Sequence, residues 1–193
     1  MSNDKPDIEP LSRMQVLIAM GVTAVLLLIV AKVWLRFDSV VILPVQWSPQ
    51  ELLLGAGIGL GITAASSVVY RLWPAYRRSA DFYLTLVLKP LVFPDLIWLG
   101  LLPGLSEELL FRGVMLPAIG LNVTGLILSS ICFGVLHLSG NNQWSYVVWA
   151  TAVGLVFGYS ALATGNLLVP IVAHILTNFI SSLIWKLKEP QTT

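Results

Sequence analysis

The sequence predicts an all-α, polytopic membrane bundle of about six transmembrane helices with a broken third helix, and three observations carry that expectation. Of its 193 residues 56% are hydrophobic and only 11% charged, against about 25% charged in a soluble domain. Mean hydropathy is +0.84. The apolar residues gather into runs near the roughly 20 residues a helix needs to cross a bilayer, parted by connectors that carry charge and proline.

The first span is predicted over Gln15–Leu35. Its apolar stretch from Val16 is broken only by Lys32, which is too long for a cleavable signal core and reads as a retained anchor. A connector with Pro44 and Pro49 as breakers and Trp47 as an interfacial residue leads to the second span, Glu51–Tyr70. That span holds two G-x-x-x-G pairs, Gly55 with Gly59 and Gly57 with Gly61, a spacing that permits close helix approach. Arg71, Arg77, Arg78 and Lys89 punctuate the next connector, whose Trp73, Tyr76, Phe82 and Tyr83 suggest a segment lying along the interface. The third span, Leu91–Leu116, is interrupted by Pro94 and by Pro103-Gly104. Spans four to six follow over Asn122–Leu138, Trp144–Ala163 and Leu167–Trp185, joined by short connectors at Ser139–Gln143 and Thr164–Asn166. Such short links make neighbouring helices antiparallel hairpins. The chain divides into an N-terminal membrane region (1–90), a helical core (91–185) and a short tail (186–193).

Basic residues set the orientation. With an inside N-terminus, Lys5, Arg13, Arg71, Arg77, Arg78, Lys89, Lys186 and Lys188 fall inside, and only Lys32 and Arg36 outside. Both termini are therefore expected to be cytoplasmic, in a bacterial inner membrane or an equivalent organelle membrane. The single cysteine, Cys132, excludes an internal disulfide and a thiolate-cluster metal site. Net charge is only +1, and no nucleic-acid partner is expected.

From Leu96 to Trp185 the only Asp, Glu, Lys, Arg or His residues are Glu107, Glu108, Arg112, His137 and His174. An ionised side chain at membrane depth costs roughly 2.5–3.5 kcal/mol on insertion scales and usually marks function. On a helix Glu108 and Arg112 are four apart and share a face, so Arg112 is expected to hold Glu108. Glu107 points about 100° away and is left for chemistry as a general base. Phe133 and His137 form a second i, i+4 pair, the phenyl ring packing beside the imidazole. His174 and Asn178 form a third, in which Asn178 either orients His174 or aims its amide at whatever His174 addresses. Glu107, His137 and His174 from three helices suit either a catalytic zinc ion or direct activation of a water. In the metal-free version Glu107 takes the proton while His137, His174 or Asn178 stabilises the oxyanion.

These elements resemble the CPBP family of intramembrane proteases, also called the CAAX-protease and bacteriocin-processing or Abi family. Its pattern E-E-x-x-x-R, F-x-x-x-H, H-x-x-x-N stands here as Glu107-Glu108 to Arg112, Phe133 to His137 and His174 to Asn178, in order. The resemblance covers about Pro103–Asn178. It implies peptide-bond hydrolysis at the membrane, as in endopeptidases that trim prenylated CAAX proteins and in bacteriocin-immunity relatives. By carry-over Glu107 activates water with His137, His174 and Asn178 support the tetrahedral intermediate, and Glu108, Arg112 and Phe133 shape the site. The family is named for metalloproteases, yet a glutamate mechanism is also argued for it, so zinc and no metal stay equally open. The implied partners are membrane lipid and a peptide or protein substrate, lipidated or not.

Other intramembrane protease chemistries lack their residues. The chain has no H-E-x-x-H and no Gly-x-Gly-Asp, and Ser106 has no G-x-S-x-G context. Two readings outside proteolysis are a proton- or ion-coupled transporter using the same groups as a relay, and a non-catalytic scaffold. Against the transporter stand one helix break and no internal repeat. Simple hairpin placement puts Glu107 near mid-membrane and His137 near the inner end of its span. Convergence therefore requires the fourth helix to extend past Leu138 or the Pro103-Gly104 break to shift the third.

Overall fold

A computed structural model describes residues 11–138, 140 and 143–188. Expectations that fall on Lys5, Ser139, Asn141, Asn142 and 189–193 lie outside the described residues. Those described are all helical or connecting, with no strand among them.

Helix α1 (Arg13–Phe37) opens on a capping box, in which Ser12 Oγ accepts from Gln15 N–H and the Gln15 side chain accepts from Ser12 N–H. Helix α2 (Pro49–Leu72) is capped by Ser48, whose Oγ accepts from Glu51 N–H, with proline in the first turn where its missing N–H costs nothing. Helix α3 (Pro74–Leu88) occupies the connector expected to lie along the interface, so the described residues form seven helical rods, with the interrupted third span below taken as one, against about six expected. Helix α4 (Asp95–Glu108) runs through Pro103, continues as a π-helical segment (Leu109–Met115) and finishes with α5 (Leu116–Ile119). The interruption expected in the third span is present, but as that π-helical segment rather than as a break at Pro103-Gly104. The rod stops at Gly120, whose φ of 139° suits only glycine. Helix α6 (Val123–Leu136) is capped by Asn122, α7 (Trp144–Thr164) ends on left-handed Gly165, and α8 (Leu168–Lys188) completes the chain.

Among the described residues four helices, α1, α2, α7 and α8, are long and apolar enough to cross a membrane, and α6 is apolar but shorter. The side chains they turn outward, such as Ile18, Val22, Leu53 and Val148, are large and hydrophobic, as a lipid-facing surface requires. This is a membrane protein. Helix α8 lies at the centre, against α2, α4, α7 and α3. Glycine sets the closest approaches. A Cβ on Gly55 would lie 2.8 Å from Val169 O, and one on Gly59 would lie 2.7 Å from Ala173 O, whereas Gly57 and Gly61 have nothing within 4 Å. Of the two overlapping G-x-x-x-G pairs only Gly55/Gly59 is a packing seam. On α4, Gly100 and Gly104 admit Ile175 of α8 in the same way.

Candidate active site

Convergence comes about by neither of the routes the hairpin placement allowed. Helix α6 has 14 residues, about 21 Å at 1.5 Å per residue, which is short of a roughly 30 Å hydrocarbon core. It is therefore too short to cross that core by itself. His137 caps it, with backbone N–H bonds to Gly134 O and Val135 O, and comes level with the end of α4 without any extension of the helix past Leu138.

Glu108 and Arg112 are each 0% exposed. Arg112 Nη1 donates to Glu108 Oε1 at 2.9 Å, and Nη2 donates to Gly154 O at 2.8 Å. The guanidinium lies over the Phe133 ring, 4.3 Å from its centroid, a cation–π contact worth about 2 kcal/mol when desolvated. His174 Nδ1 meets the same Glu108 Oε1 at 2.7 Å. A carboxylate only accepts, so Nδ1 carries the proton and the other ring nitrogen is left for the cavity. The His174 ring stacks on Phe157, with centroids 5.0 Å apart. Of the two uses foreseen for Asn178, orientation of His174 falls to Glu108 instead. Asn178 lines the cavity beside it.

Glu107 is set apart from this pair, as the helical spacing predicts. Its Oε2 is buried and has no hydrogen-bond partner among the described residues. The nearest cationic or imidazole group is His137 Nε2, 3.9 Å away. His137 Nδ1 lies 2.9 Å from Phe133 O. A carbonyl cannot donate, so Nδ1 holds the hydrogen and Nε2 faces Glu107 with its lone pair. Phe133 thus serves three groups at once, packing on His137 (4.8 Å between centroids), on His174 (5.7 Å) and under Arg112.

Glu107, His137, His174 and Asn178 all open on one cavity of about 620 Å³, large enough for a peptide segment. Tyr83 of α3 and Tyr146 of α7 stack across it at 5.1 Å. Enclosure first and the Glu107 carboxylate second push the Tyr83 phenol up to about 12, so it stays a neutral donor. The sequence reading missed Tyr83 and Tyr146 as wall residues, and also Gly154 and Phe157. Gly154 and Gly158 stand four apart on α7, a spacing that could have flagged a close approach.

The zinc expectation meets a geometric test. No three His, Cys, Asp or Glu side chains among the described residues form a group able to hold a metal ion. Glu107 and His137 approach each other, while His174 is tied to Glu108 through Nδ1. A zinc site needs three protein ligands and an open position; the Nδ1 bonds of His137 and His174 leave Nε2 of both rings for the cavity, but no third donor is gathered with them.

Residues 89–180 match the family described as type II CAAX prenyl endopeptidase Rce1-like. Over that stretch the chain is similar to the Rce1-like family. The Rce1-like region contains every site residue from Glu107 to Asn178, together with the π-helical segment. The chain is also similar to uncharacterized protein YpbD of Bacillus subtilis (strain 168), 29% identical over 126 residues. That match covers 65% of this chain and spans 64% of the relative's length. No solved structure matches the chain. The Rce1-like family is one of endopeptidases.

Proposed function

We propose that this chain is an intramembrane endopeptidase that hydrolyses peptide bonds with a water held between Glu107 and His137. Its substrates are the C-terminal regions of membrane-associated peptides or proteins, lipidated ones included. The observation that carries the reading is the pairing of two acceptors. Glu107 Oε2 and His137 Nε2 face each other at 3.9 Å, too far for a direct bond and suited to a bridging water. A water donating one hydrogen to each presents its own lone pair to a third position in the cavity.

In the reaction Glu107 takes the proton as the water oxygen attacks the scissile carbonyl carbon, and a tetrahedral oxyanion forms. The Asn178 amide is a donor at every pH and supports that oxyanion. His174 joins it through Nε2 when protonated. Glu107 then returns the proton to the leaving amine. Glu108 and Arg112 do no chemistry. They hold His174 and fill the charge balance of the buried site.

The test is cleavage of quenched fluorescent peptides, prenylated and plain, by purified wild type and Glu107→Gln in detergent. Cleavage by wild type that falls by about 10²–10⁴ in the variant, with helicity unchanged, supports the reading. Equal cleavage by both proteins rejects Glu107 as the base.

A further inference from the structure

The catalytic end of the cavity is short of hydrogen-bond donors. His137 and His174 each spend Nδ1–H on a fixed acceptor, Phe133 O and Glu108 Oε1, so in the neutral rings both Nε2 atoms offer lone pairs. Glu107 is a third acceptor. An oxyanion is stabilised by preorganised donors, and of these groups only Asn178 is one when His174 is neutral. Its side-chain amide has no partner among the described residues.

The other donors of the cavity wall are spent or distant. Thr63, Ser67, Thr177 and Ser182 each give their hydroxyl hydrogen to the carbonyl four residues earlier. Tyr70 gives its own to Asp81 Oδ1, and Tyr76 is turned to Ser66. Ser66 and Ser181 stand too far along the cavity. Gly59 faces Ala173 of α8, Ser66 lies seven residues beyond Gly59 and Ser181 seven beyond His174, about 10 Å in each case. Arg71 and Lys188 lie further still. Tyr83 and Tyr146 remain.

These two rings stand at the level of Glu107 and His137. Ser79 and Ser145 share a buried hydrogen bond, Oγ to Oγ at 2.8 Å, which pins α3 on α7. Tyr83 follows Ser79 by one turn and Tyr146 is next to Ser145. The Tyr146 ring meets His137 at 6.1 Å between centroids and Tyr83 at 5.1 Å. Neither hydroxyl has a hydrogen-bond partner among the described residues. Tyr146 is hemmed in by Tyr76, Tyr83 and His137. Tyr83 stacks only on Tyr146 among the described residues, and enclosure first and the Glu107 charge second keep its phenol protonated.

We propose that the Tyr83 hydroxyl is a donor to the reaction's oxyanion, acting together with the Asn178 amide, and that Tyr146 is the platform that holds both Tyr83 and His137. This rests on the endopeptidase reading and deepens it with a catalytic residue from α3, outside the stretch 89–180 that matches the family. As the water oxygen adds to the carbonyl carbon, its proton goes to Glu107 and the negative charge to the carbonyl oxygen. Tyr83 keeps its own hydrogen throughout and offers it to that oxygen as a hydrogen bond. When the carbon–nitrogen bond breaks, the carbonyl re-forms and Glu107 hands its proton to the leaving amine.

Full-length wild type, Tyr83→Phe and Tyr146→Phe in phosphatidylcholine nanodiscs are compared on one quenched fluorescent peptide and on its phosphinate analogue. The analogue puts a tetrahedral, anionic phosphorus centre in place of the scissile amide. Phenylalanine keeps the ring and its stacking. Tyr83→Phe is expected to lose about 10²–10³ in kcat, with KM within about twofold and an unchanged unfolding midpoint, and to bind the phosphinate correspondingly more weakly. The phosphinate is also titrated in the Glu107→Gln background, where nothing turns over, so the donor and the base are read separately. A kcat for Tyr83→Phe equal to that of wild type overturns the proposal. So does a loss carried by KM alone, or one confined to Tyr146→Phe. No cleavage by wild type defeats the endopeptidase reading and the donor with it.

Discussion

His174 Nδ1 lies 2.7 Å from Glu108 Oε1, the same oxygen that accepts from Arg112 Nη1 at 2.9 Å. One fully buried carboxylate oxygen therefore positions a histidine from α8 and neutralises an arginine from the π-helical segment. Polar contacts between membrane helices average only about 0.6 kcal/mol, so an arrangement this costly to desolvate is better explained by the fixed orientation it gives His174 than by stability.

Removing one member leaves a buried charge without its counterpart. Glu108→Ala is expected to destabilise the folded protein by about 3–5 kcal/mol. Thermal unfolding in detergent, followed by circular dichroism, should show a far lower midpoint than for Glu107→Gln, which strands no cation. A Glu108→Ala midpoint equal to that of wild type would mean that the Arg112 charge finds another partner.

In the proposed reaction His137 acts on the water and not on the fold. It caps a helix with its backbone, which any residue supplies. His137→Gln should therefore keep its unfolding midpoint within about 1 kcal/mol while cleavage falls by about 10²–10³. The measurement is the kcat of peptide hydrolysis beside a melting curve for the same preparation.

The glycines give a built-in control. A Cβ on Gly154 would lie 3.1 Å from both Arg112 Nη2 and the Phe133 ring, so Gly154→Ala crowds the guanidinium and the ring, which must give by a few tenths of an ångström. Overpacking of this kind costs about 1–3 kcal/mol, and activity should fall with it as Phe133 shifts under His137. Gly57→Ala meets nothing within 4 Å and should lie within about 0.5 kcal/mol of wild type. Comparable losses from both would show that helix propensity, not packing, governs these positions.

Metal removal offers an independent check on the water mechanism. Because the donors do not form a three-ligand set, prolonged treatment with a strong chelator is expected to leave the cleavage rate within about twofold, and added zinc should not raise it. A rate abolished by chelator and restored by stoichiometric zinc would require Glu107, His137 and His174 to close into a cage on binding.

Much of the site can be read along the chain because helical spacing is local. Glu108 with Arg112 and Phe133 with His137 are each four apart, and the structure pairs both as that periodicity demands. The separate placing of Glu107 follows from the same 100° step. What lies between helices was less legible. The choice of Gly55/Gly59 over Gly57/Gly61 depends on which face of α2 meets α8, and a helix that is apolar all round gives no periodic signal for that face. The irregularity in the third span falls at Leu109–Met115 rather than at Pro103, which lies in a helix whose Gly100 and Gly104 pack closely on Ile175.

The sequence by itself determined that this is a helical membrane protein and which few polar side chains its later helices carry, since hydropathy and i, i+4 spacing are properties of neighbours along the chain. Only the tertiary structure decided that Glu108 rather than Asn178 holds His174, and that His137 meets Glu107 because α6 stops short of a full crossing. Those outcomes depend on the relative depth of helices far apart in sequence, and depth is set by packing among all of them at once.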